Sequence, residues 1–407
     1  MTTHTSDTSE TAPVPEGLPT GRERLLDPPG ELSRLRAQRP VSRMIYPDGH
    51  EGWLVTGYHA ARAVLADLRF SSRQDLIRHT PIPNPFGDQK PPPAMAGTLT
   101  RLDPPEHTHY RRLLTGQFTV RRMNQLAGRI ERITEDRLDA IAEAGAPADL
   151  VPTFALPIPS LVICELLGVP YADHERFQRD SATLFNLGSS AEAMLEALDD
   201  LTAFLGELVE TKRAEPTDDL LSGLVTGGEL NHEELVTIAL TLLVAGHETT
   251  AKMLALGTFA LLENPDQLAK LRAQPELINN TVEELLRYLT IVHIGPVRVA
   301  KEDVEVDGVL IKAGETVTLS LPAVNRDPAR FTNAEELDIT RPATGHVAFG
   351  HGVHQCLGQQ LARIEMRVAY PALLRRFPGL RLAVPADEVK ARANAAIYGL
   401  DALPVTW

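Results

Sequence analysis

One stretch of about thirty residues, from His232 to Leu262, most constrains how this chain can fold. It reads EELVTIALTLLVAGHETTAKMLALGTFALL after the first histidine, and it predicts one helix about 45 Å long, since each helical residue adds about 1.5 Å. A helix that is apolar nearly all round is buried rather than laid on a surface. The sequence therefore predicts a helix-rich fold packed around this central helix.

Five polar or small residues interrupt the apolar pattern at the middle of that helix: Gly246, His247, Glu248, Thr249 and Thr250. Buried acids and hydroxyls cost free energy unless they are hydrogen-bonded. A threonine hydroxyl can bond a carbonyl one turn earlier and distort the helix, and a neighbouring glycine leaves room for a ligand or water. The interruption predicts either a ligand-binding notch or a polar patch satisfied by neighbouring helices.

A second feature is the loop FGHGVHQCLG at 349–358, which is followed at once by the helical pattern QQLARIEMRVAYPALLRRF. The loop brings Cys356 to the start of a helix, where free N–H groups and a partial positive charge favour the metal-binding thiolate. Gly350 and Gly352 permit unusual backbone geometry, and Gly358 leaves space where something large packs close. A flat cofactor would use all these features, whereas Cys164 in LVICELLGV is expected to be a small buried hydrophobe.

The pattern F-G-x-G-x-H-x-C-x-G resembles the haem-thiolate signature of the cytochrome P450 family. The resemblance implies that Cys356 is the axial ligand of haem b (iron protoporphyrin IX). It also implies a mainly α fold with a small β part, a helix-rich triangular prism with haem between the long central helix and the cysteine loop. We expect one catalytic domain over 21–407, after a flexible polar tail over 1–20 that resembles neither a signal peptide nor a membrane anchor.

Further motifs occur in the order that this resemblance implies. AGHETT resembles the family's A-G-x-[DE]-T motif, which makes Glu248 and Thr249 the proton relay for oxygen activation and leaves His247 at the variable position. The helix NNTVEELLRYLT at 279–290 carries the family's E-x-x-R pair. The resemblance implies that this pair, together with a second arginine, supports the structure; the residues concerned are Glu284, Arg287 and Arg341.

The resemblance also assigns residues around the cofactor. The side chains expected to bind the haem propionates are His107, Arg111, Arg298 and His354. Residues of the cysteine loop complete the cofactor-binding set: Phe349, Gly350, Cys356 and Gly358. Without the resemblance, His107 and Arg111 would be interpreted as a solvated helix face and Arg298 as an exposed strand residue.

The rest of the chain predicts the surroundings of this site. A hairpin is predicted from the segments VSRMIY and EGWLVTG. Residues 73–100 predict a long proline-rich loop that acts as a lid. Residues 120–215 predict a run of helices, which the segment VPTFALPIPSL interrupts. Short strands are expected after residue 290 and at the C-terminus. The positions expected to face the substrate are Val292, His293, Ile294, Ala395, Ala396 and Ile397.

Composition limits the possible partners. The net charge of −14 and pI near 5.4 argue against nucleic-acid binding, which needs a basic footprint. The two cysteines give no disulfide framework, which favours a cytoplasmic location, and no apolar run is long enough to span a bilayer. A monomer is expected. Arg112, Arg363 and Arg367 form either a basic patch for a redox partner or ordinary solvated helix charges.

These features predict a monooxygenase that hydroxylates or epoxidises a lipophilic organic molecule with O2. No G-x-G-x-x-G follows a strand, so electrons are expected from a ferredoxin and its NAD(P)H-dependent reductase. Two alternatives are a peroxide-driven haem-thiolate enzyme and a non-enzymatic haem sensor or ligand carrier.

Overall fold

The computed structural model describes residues 14–82, 93–185, 190–392 and 395–407. Its helices are α1 (Gly30–Gln38), α2 (Tyr58–Ala66), α3 (Glu106–Thr115), α4 (Val120–Ala144), α5 (Pro157–Leu167), α6 (His174–Phe185), α7 (Ala191–Ala214), α8 (Leu220–Gly227), α9 (His232–Glu263), α10 (Pro265–Ala273), α11 (Ile278–Leu289), α12 (Leu321–Val324) and α13 (Gln359–Arg376). Its strands are β1 (Val41–Ile45), β2 (Glu51–Val55), β3 (Phe70–Ser71), β4 (Ala148–Asp149), β5 (Val297–Ala300), β6 (Val304–Val306), β7 (Val309–Ile311), β8 (Thr316–Leu319), β9 (Arg381–Leu382) and β10 (Pro404–Thr406).

The long helix α9 is the centre of the helical part, as the sequence predicts. It begins with a capping box, in which the Asn231 side chain accepts from the Glu234 N–H at 3.0 Å and the Glu234 carboxylate accepts from the Asn231 N–H at 2.8 Å. Helices α5, α7, α11 and α13 pack against α9. From Ala251 to Leu261 every residue of α9 is buried, because this half lies inside the largest apolar core. None of the described helices has the length and apolar character needed to cross a membrane.

The β part consists of small sheets beside the helices. The largest has the strand order β1-β2-β8-β5-β3, with β1 and β2 paired antiparallel so that Val41 lies opposite Val55. β4, β10 and β9 form a second sheet, and β6 pairs with β7. The predicted hairpin, the strands after residue 290 and the C-terminal strand are confirmed.

Two segments are more ordered than the sequence predicts, whereas the ends of α9 and α11 differ from the prediction by a single residue. Residues 1–13 of the predicted tail lie outside the described residues, but residues 16–18 pack on the sheet: the Gly17 N–H donates to Ile45 O at 2.8 Å, and Leu18 joins an apolar cluster with Met44. The tail therefore ends before residue 20, because Leu18 buries its side chain. In the proline-rich interruption, α5 already begins at Pro157, since the first turn of a helix needs no donor from proline.

The long loop that was predicted over 73–100 is confirmed where it can be followed. Its described parts, 73–82 and 93–98, contain neither a strand nor an α-helix. Residues 83–92, including Phe86, lie outside the described residues.

A buried ionic network joins α11 to the chain that leads into the cysteine loop. The Arg287 side chain is fully buried and donates two hydrogen bonds to the Glu284 carboxylate, at 2.7 and 2.8 Å. It also donates to the carbonyls of Asn325 and Ala334. The Arg341 guanidinium reaches the same Glu284 carboxylate at 3.1 Å, which confirms the predicted three-residue support.

We predict that Glu284→Gln destabilises the protein by about 3–5 kcal/mol, because it leaves a fully buried guanidinium without its counter-charge. Urea unfolding of the haem-loaded protein measures the loss. The matched control is Glu135→Gln, which removes an exposed partner of Arg375 and should cost less than about 1 kcal/mol. Equal stabilities of the two variants would contradict the structural role of Glu284.

Candidate active site

The cysteine loop is held in place by backbone hydrogen bonds. The Val347 N–H donates to the Asn325 side chain at 2.8 Å, and the Cys356 N–H donates to Phe349 O at 2.8 Å. Only glycine fits at position 352, where a Cβ atom would lie 2.3 Å from Leu65 O in α2. The loop is thus fixed against α2 on one side and against the Glu284 network on the other.

The Cys356 side chain is exposed, yet surrounding atoms desolvate the sulfur and raise the pKa of the thiol above its ordinary value. The N–H groups of Gly358 and Gln359 at the start of α13, and the charges of Arg111 and Arg363, act in the opposite direction and favour the thiolate. The helix start therefore favours the thiolate as the sequence predicts, and desolvation by the surrounding fold opposes it.

Two further positions have open space around them, one at Gly358 after the cysteine loop and one in the middle of α9. A Cβ atom at Gly358 would meet nothing within 4 Å, which agrees with the prediction that this glycine leaves room. Val244 and Ala245 are exposed although they lie in the middle of the central helix, and the exposed fraction of Val244 reaches 41%. The exposed stretch lies directly before the predicted interruption of α9, where the sequence indicates room for a ligand or water.

Two imidazoles lie side by side next to this loop. The ring centroids of His107 and His354 are 4.3 Å apart. Both ring nitrogens of His107 are buried without a hydrogen-bond partner among the described residues. Burial lowers the pKa of His107, and burial followed by the charge of Arg298 lowers the pKa of His354 to about 3. Both rings are consequently neutral near pH 7, and each can donate one N–H.

Arginines add positive charge to the same place. Arg298 is 8% exposed, and burial lowers its pKa to about 10. Its one hydrogen bond in the described structure goes to the adjacent Val297 carbonyl at 2.9 Å. Burial also lowers the pKa of Arg111, and neither Arg111 nor Arg298 forms an ion pair with a described carboxylate. These donors need an anion, and the carboxylates of a haem group fit them.

The polar interruption of α9, at residues 246–250, is the next part of the candidate site. The Thr249 hydroxyl donates to Ala245 O at 2.7 Å, one turn earlier. Glu248 is half-buried, and burial raises its pKa. His247 points elsewhere: its Nε2 lies 3.2 Å from Leu156 O, and burial lowers its pKa to about 4. Glu248 and Thr249 lie beside the exposed Val244–Ala245 stretch, and this position suits a proton relay.

Two segments predicted to face the substrate pair with each other. Val292 forms a β-bridge with Ile397, and the N–H groups of His293 and Ile294 both donate to Ala396 O, at 3.0 and 3.2 Å. A separate cavity of about 920 Å3 lies between Met95 of the long loop, α7 and the first turns of α9. Its lining includes neither the cysteine loop nor Glu248 and Thr249, so it is not assigned to the site described above. Sequence reasoning did not predict this cavity, because periodicity predicts that α7 is a helix but does not show which of its residues line a cavity.

The three arginines of the possible basic patch are all partnered. Arg112 pairs with Glu229, and Arg363 donates to Glu283 at 2.6 and 2.9 Å. Arg367 lies 3.8 Å from the same carboxylate. Burial alone would raise the pKa of Glu283, but hydrogen bonds from His346 and Arg363 hold it at about 2. The Arg363 guanidinium also lies 4.6 Å from the Phe349 ring centroid, so it positions that ring.

Comparison with known proteins shows which family the chain belongs to. The model of the family described as Cytochrome P450 matches residues 174–381. Cytochrome P450 105C1 from a Streptomyces species is 53% identical, over 98% of this chain and 100% of its own length. The chain belongs to the cytochrome P450 family. The mycinamicin IV hydroxylase/epoxidase of Micromonospora griseorubida is 41% identical over 98% of this P450 and 100% of its own length.

Solved structures agree with this assignment. Streptomyces peucetius CYP105P2, in complex with a biphenyl compound, superposes with a TM-score of 0.90 at 46% identity, covering 98% of this chain and 100% of that one. The P450 fold and the haem b cofactor predicted from the sequence are thereby confirmed. This P450 is a haem-thiolate monooxygenase, which uses O2, electrons from redox partners and a lipophilic substrate.

If Arg298 binds a haem carboxylate, as the sequence predicts, Arg298→Met should weaken haem binding by about 1.5–3 kcal/mol, since a charge-assisted hydrogen bond would be lost. Haem transfer from the loaded P450 to an acceptor protein should accelerate about tenfold or more. The haem-free protein should be equally or more stable than the wild type, because a buried unpaired cation has been removed. Arg375→Met, at an exposed arginine, should change neither quantity. An unchanged transfer rate for Arg298→Met would contradict the contact with the haem carboxylate.

Proposed function

We propose that Cys356 is the axial ligand of the haem iron and that His107, Arg111, Arg298 and His354 bind the haem propionates. The observation that carries this proposal is the pair of buried, unpartnered ring nitrogens of His107 next to His354. Buried polar atoms are normally hydrogen-bonded. A propionate beside them accepts from a neutral imidazole N–H and is stabilised by the arginine charges.

Residues of the loop shape the environment of the sulfur. Phe349 packs beside the thiolate, and Arg363 holds its ring. Gly350, with a φ of 70°, turns the chain so that the Cys356 N–H can donate back to Phe349 O. Gly358 keeps the approach to the cofactor open. We further propose that residues 21–407 act as one catalytic domain, since one apolar core includes residues from Leu26 to Val405.

Bound haem activates dioxygen, so that one oxygen atom enters a C–H bond or an alkene of the substrate and the other leaves as water after uptake of two electrons and two protons. The protein has to deliver those protons and exclude bulk water. We assign the delivery to Glu248 and Thr249. Two observations support this assignment. The Thr249 hydroxyl donates to Ala245 O beside an exposed stretch of α9, and the Glu248 carboxyl group, one residue earlier, is half-buried.

The electrons are proposed to come from a ferredoxin and its NAD(P)H-dependent reductase. Arg112, Arg363 and Arg367 are already paired with acids, so these arginines are proposed to be structural ion-pair partners rather than a free basic patch for the redox partner. A cytoplasmic location is supported by the two free cysteines. A monomer is supported by the scattered positions of the exposed large apolar side chains among the described residues.

The substrate is proposed to be a lipophilic molecule of the polyketide, terpenoid, steroid or xenobiotic kind. The support comes from relatives: a mycinamicin IV hydroxylase/epoxidase and a vitamin D3 dihydroxylase are 41% and 44% identical to this chain. The solved structure of the similar CYP105P2 is a complex with a biphenyl compound.

A spectral titration of the ferric P450 tests the substrate class. Compounds from small terpenes to macrolides and steroids are added, and carbon monoxide binding to the reduced protein checks the thiolate band in the same sample. A low- to high-spin shift is expected with at least one of these lipophilic classes, because a bound substrate displaces water from the iron. No shift with any class, while the thiolate band is intact, would contradict the proposed substrate class.

We predict that Thr249→Ala uncouples oxygen uptake from product formation by about tenfold and releases peroxide, while the haem spectrum is unchanged. The matched control is Thr258→Ala on the same helix, where the hydroxyl makes the same kind of bond, to Leu254 O at 2.8 Å, but lies in the buried core. That variant should stay coupled. The readouts are oxygen consumption, peroxide and product measured together. Full coupling in Thr249→Ala would remove the residue from the relay.

A further inference from the structure

A buried lysine follows the proposed relay acid by one helical turn. Lys252 is 4% exposed, although it lies on the central helix α9. Glu248 is half-buried four residues earlier, so the two side chains lie on the same face of α9. A buried ammonium group costs free energy unless other groups compensate its charge. The surroundings of Lys252 therefore have to explain its presence.

Two chain segments near the C-terminus pair with each other and pack over Lys252. Ala391 and Leu400 form a β-bridge, and the Arg392 N–H donates to Gly399 O at 2.9 Å. The Arg392 side chain donates to the Asp401 carboxylate at 2.8 Å. A Cβ atom at Gly399 would lie 2.1 Å from Cδ of Lys252, so the lysine stem lies directly over this glycine. The paired segments and α9 are fitted to each other around the lysine side chain.

The cluster contains two acidic and two basic side chains, namely Glu248, Asp401, Lys252 and Arg392. Burial raises the pKa of Glu248, while the positive charges of Lys252 and Arg392 lower it. Burial and the charge of Arg392 lower the pKa of Lys252, while Glu248 and Asp401 raise it. His247 beside them is neutral above about pH 4, because burial lowers its pKa to about 4. Lys252 and Arg392 are therefore the groups that oppose the effect of burial on Glu248.

We propose that Lys252 is a positioning residue of the monooxygenase reaction: held by the paired segments with Arg392 and Asp401, it keeps Glu248 ionised between proton transfers. This inference rests on the proposed relay role of Glu248. A relay acid has to release each proton and take up the next from solvent. If burial acted alone, Glu248 would keep its proton up to a higher pH. Proton delivery would then stop with Glu248 in its protonated form.

The test uses Lys252→Met in the haem-loaded protein, because methionine keeps the apolar stem over Gly399 and removes the charge. The protonation of Glu248 is followed by the infrared carboxyl band that disappears in Glu248→Gln, over a pH series. Its midpoint should rise by about one pH unit, the lower end of the effect of a nearby opposite charge. The acidic limb of the coupling profile should move upwards with it, since the ionised form is then reached only at higher pH.

Three variants control the experiment. Lys252→Arg keeps the charge and should restore most of the wild-type profile. Lys390→Met removes the same charge from an exposed position of the same paired segments, and should leave the profile unchanged. Gly399→Ala keeps every charge but displaces the lysine stem, and should shift the profile in the same direction as Lys252→Met. An equal shift in Lys390→Met would show a general charge effect and overturn the proposal.

The outcomes also separate this inference from the relay itself. An unmoved carboxyl midpoint in Lys252→Met, with uncoupling in Glu248→Gln, would overturn the role of Lys252 and leave the relay intact. Full coupling in Glu248→Gln would overturn the relay assignment, whereas a raised midpoint in Lys252→Met would still establish the electrostatic control of Glu248.

Discussion

The geometry of the active site depends on a guanidinium that has no access to water. Arg287 is fully buried, and its two bonds to Glu284 are joined by bonds to three backbone carbonyls of residues 325, 334 and 336. A buried charge of this kind is tolerated only if all its partners are in place. Folding therefore has to bring α11 and the segment after α12 together. Asn325, whose carbonyl accepts from Arg287, also accepts from the Val347 N–H and so ties the cysteine loop to the network.

The residues proposed to bind the haem propionates differ from this network in their partners. Both ring nitrogens of His107 are buried without a hydrogen-bond partner among the described residues, and no described carboxylate forms an ion pair with Arg111 or Arg298. The charge of Asp103 acts on His107 and Arg298, but burial has the larger effect on both. If these residues bind the haem propionates as proposed, the cofactor supplies the hydrogen-bond acceptors that the polypeptide does not. The Glu284 network, in contrast, finds its partners within the chain.

Sequence patterns predicted what is local or carried by a motif. The apolar run gave the extent of α9, and the glycine-rich loop placed Cys356 next to the start of α13. Patterns could not show contacts between distant segments. The pairing of Arg363 with Glu283 joins α13 to α11, and the fit of Lys252 over Gly399 joins α9 to the paired segments near the C-terminus. The desolvation of Cys356 could not be predicted for a related reason, since burial depends on the whole fold while helix position is local.

The two threonines of α9 show why a local bond does not define a function. Thr249 and Thr258 each donate to the carbonyl four residues earlier, at 2.7 and 2.8 Å, yet Thr258 is buried in the core and Thr249 lies beside an exposed stretch. What differs is the surroundings of the helix at each position. The same reasoning applies to Glu248, because an acid in this motif becomes a useful relay only if its charge is controlled. In this chain the control lies outside the motif, in Lys252 one turn further and in the paired segments near the C-terminus.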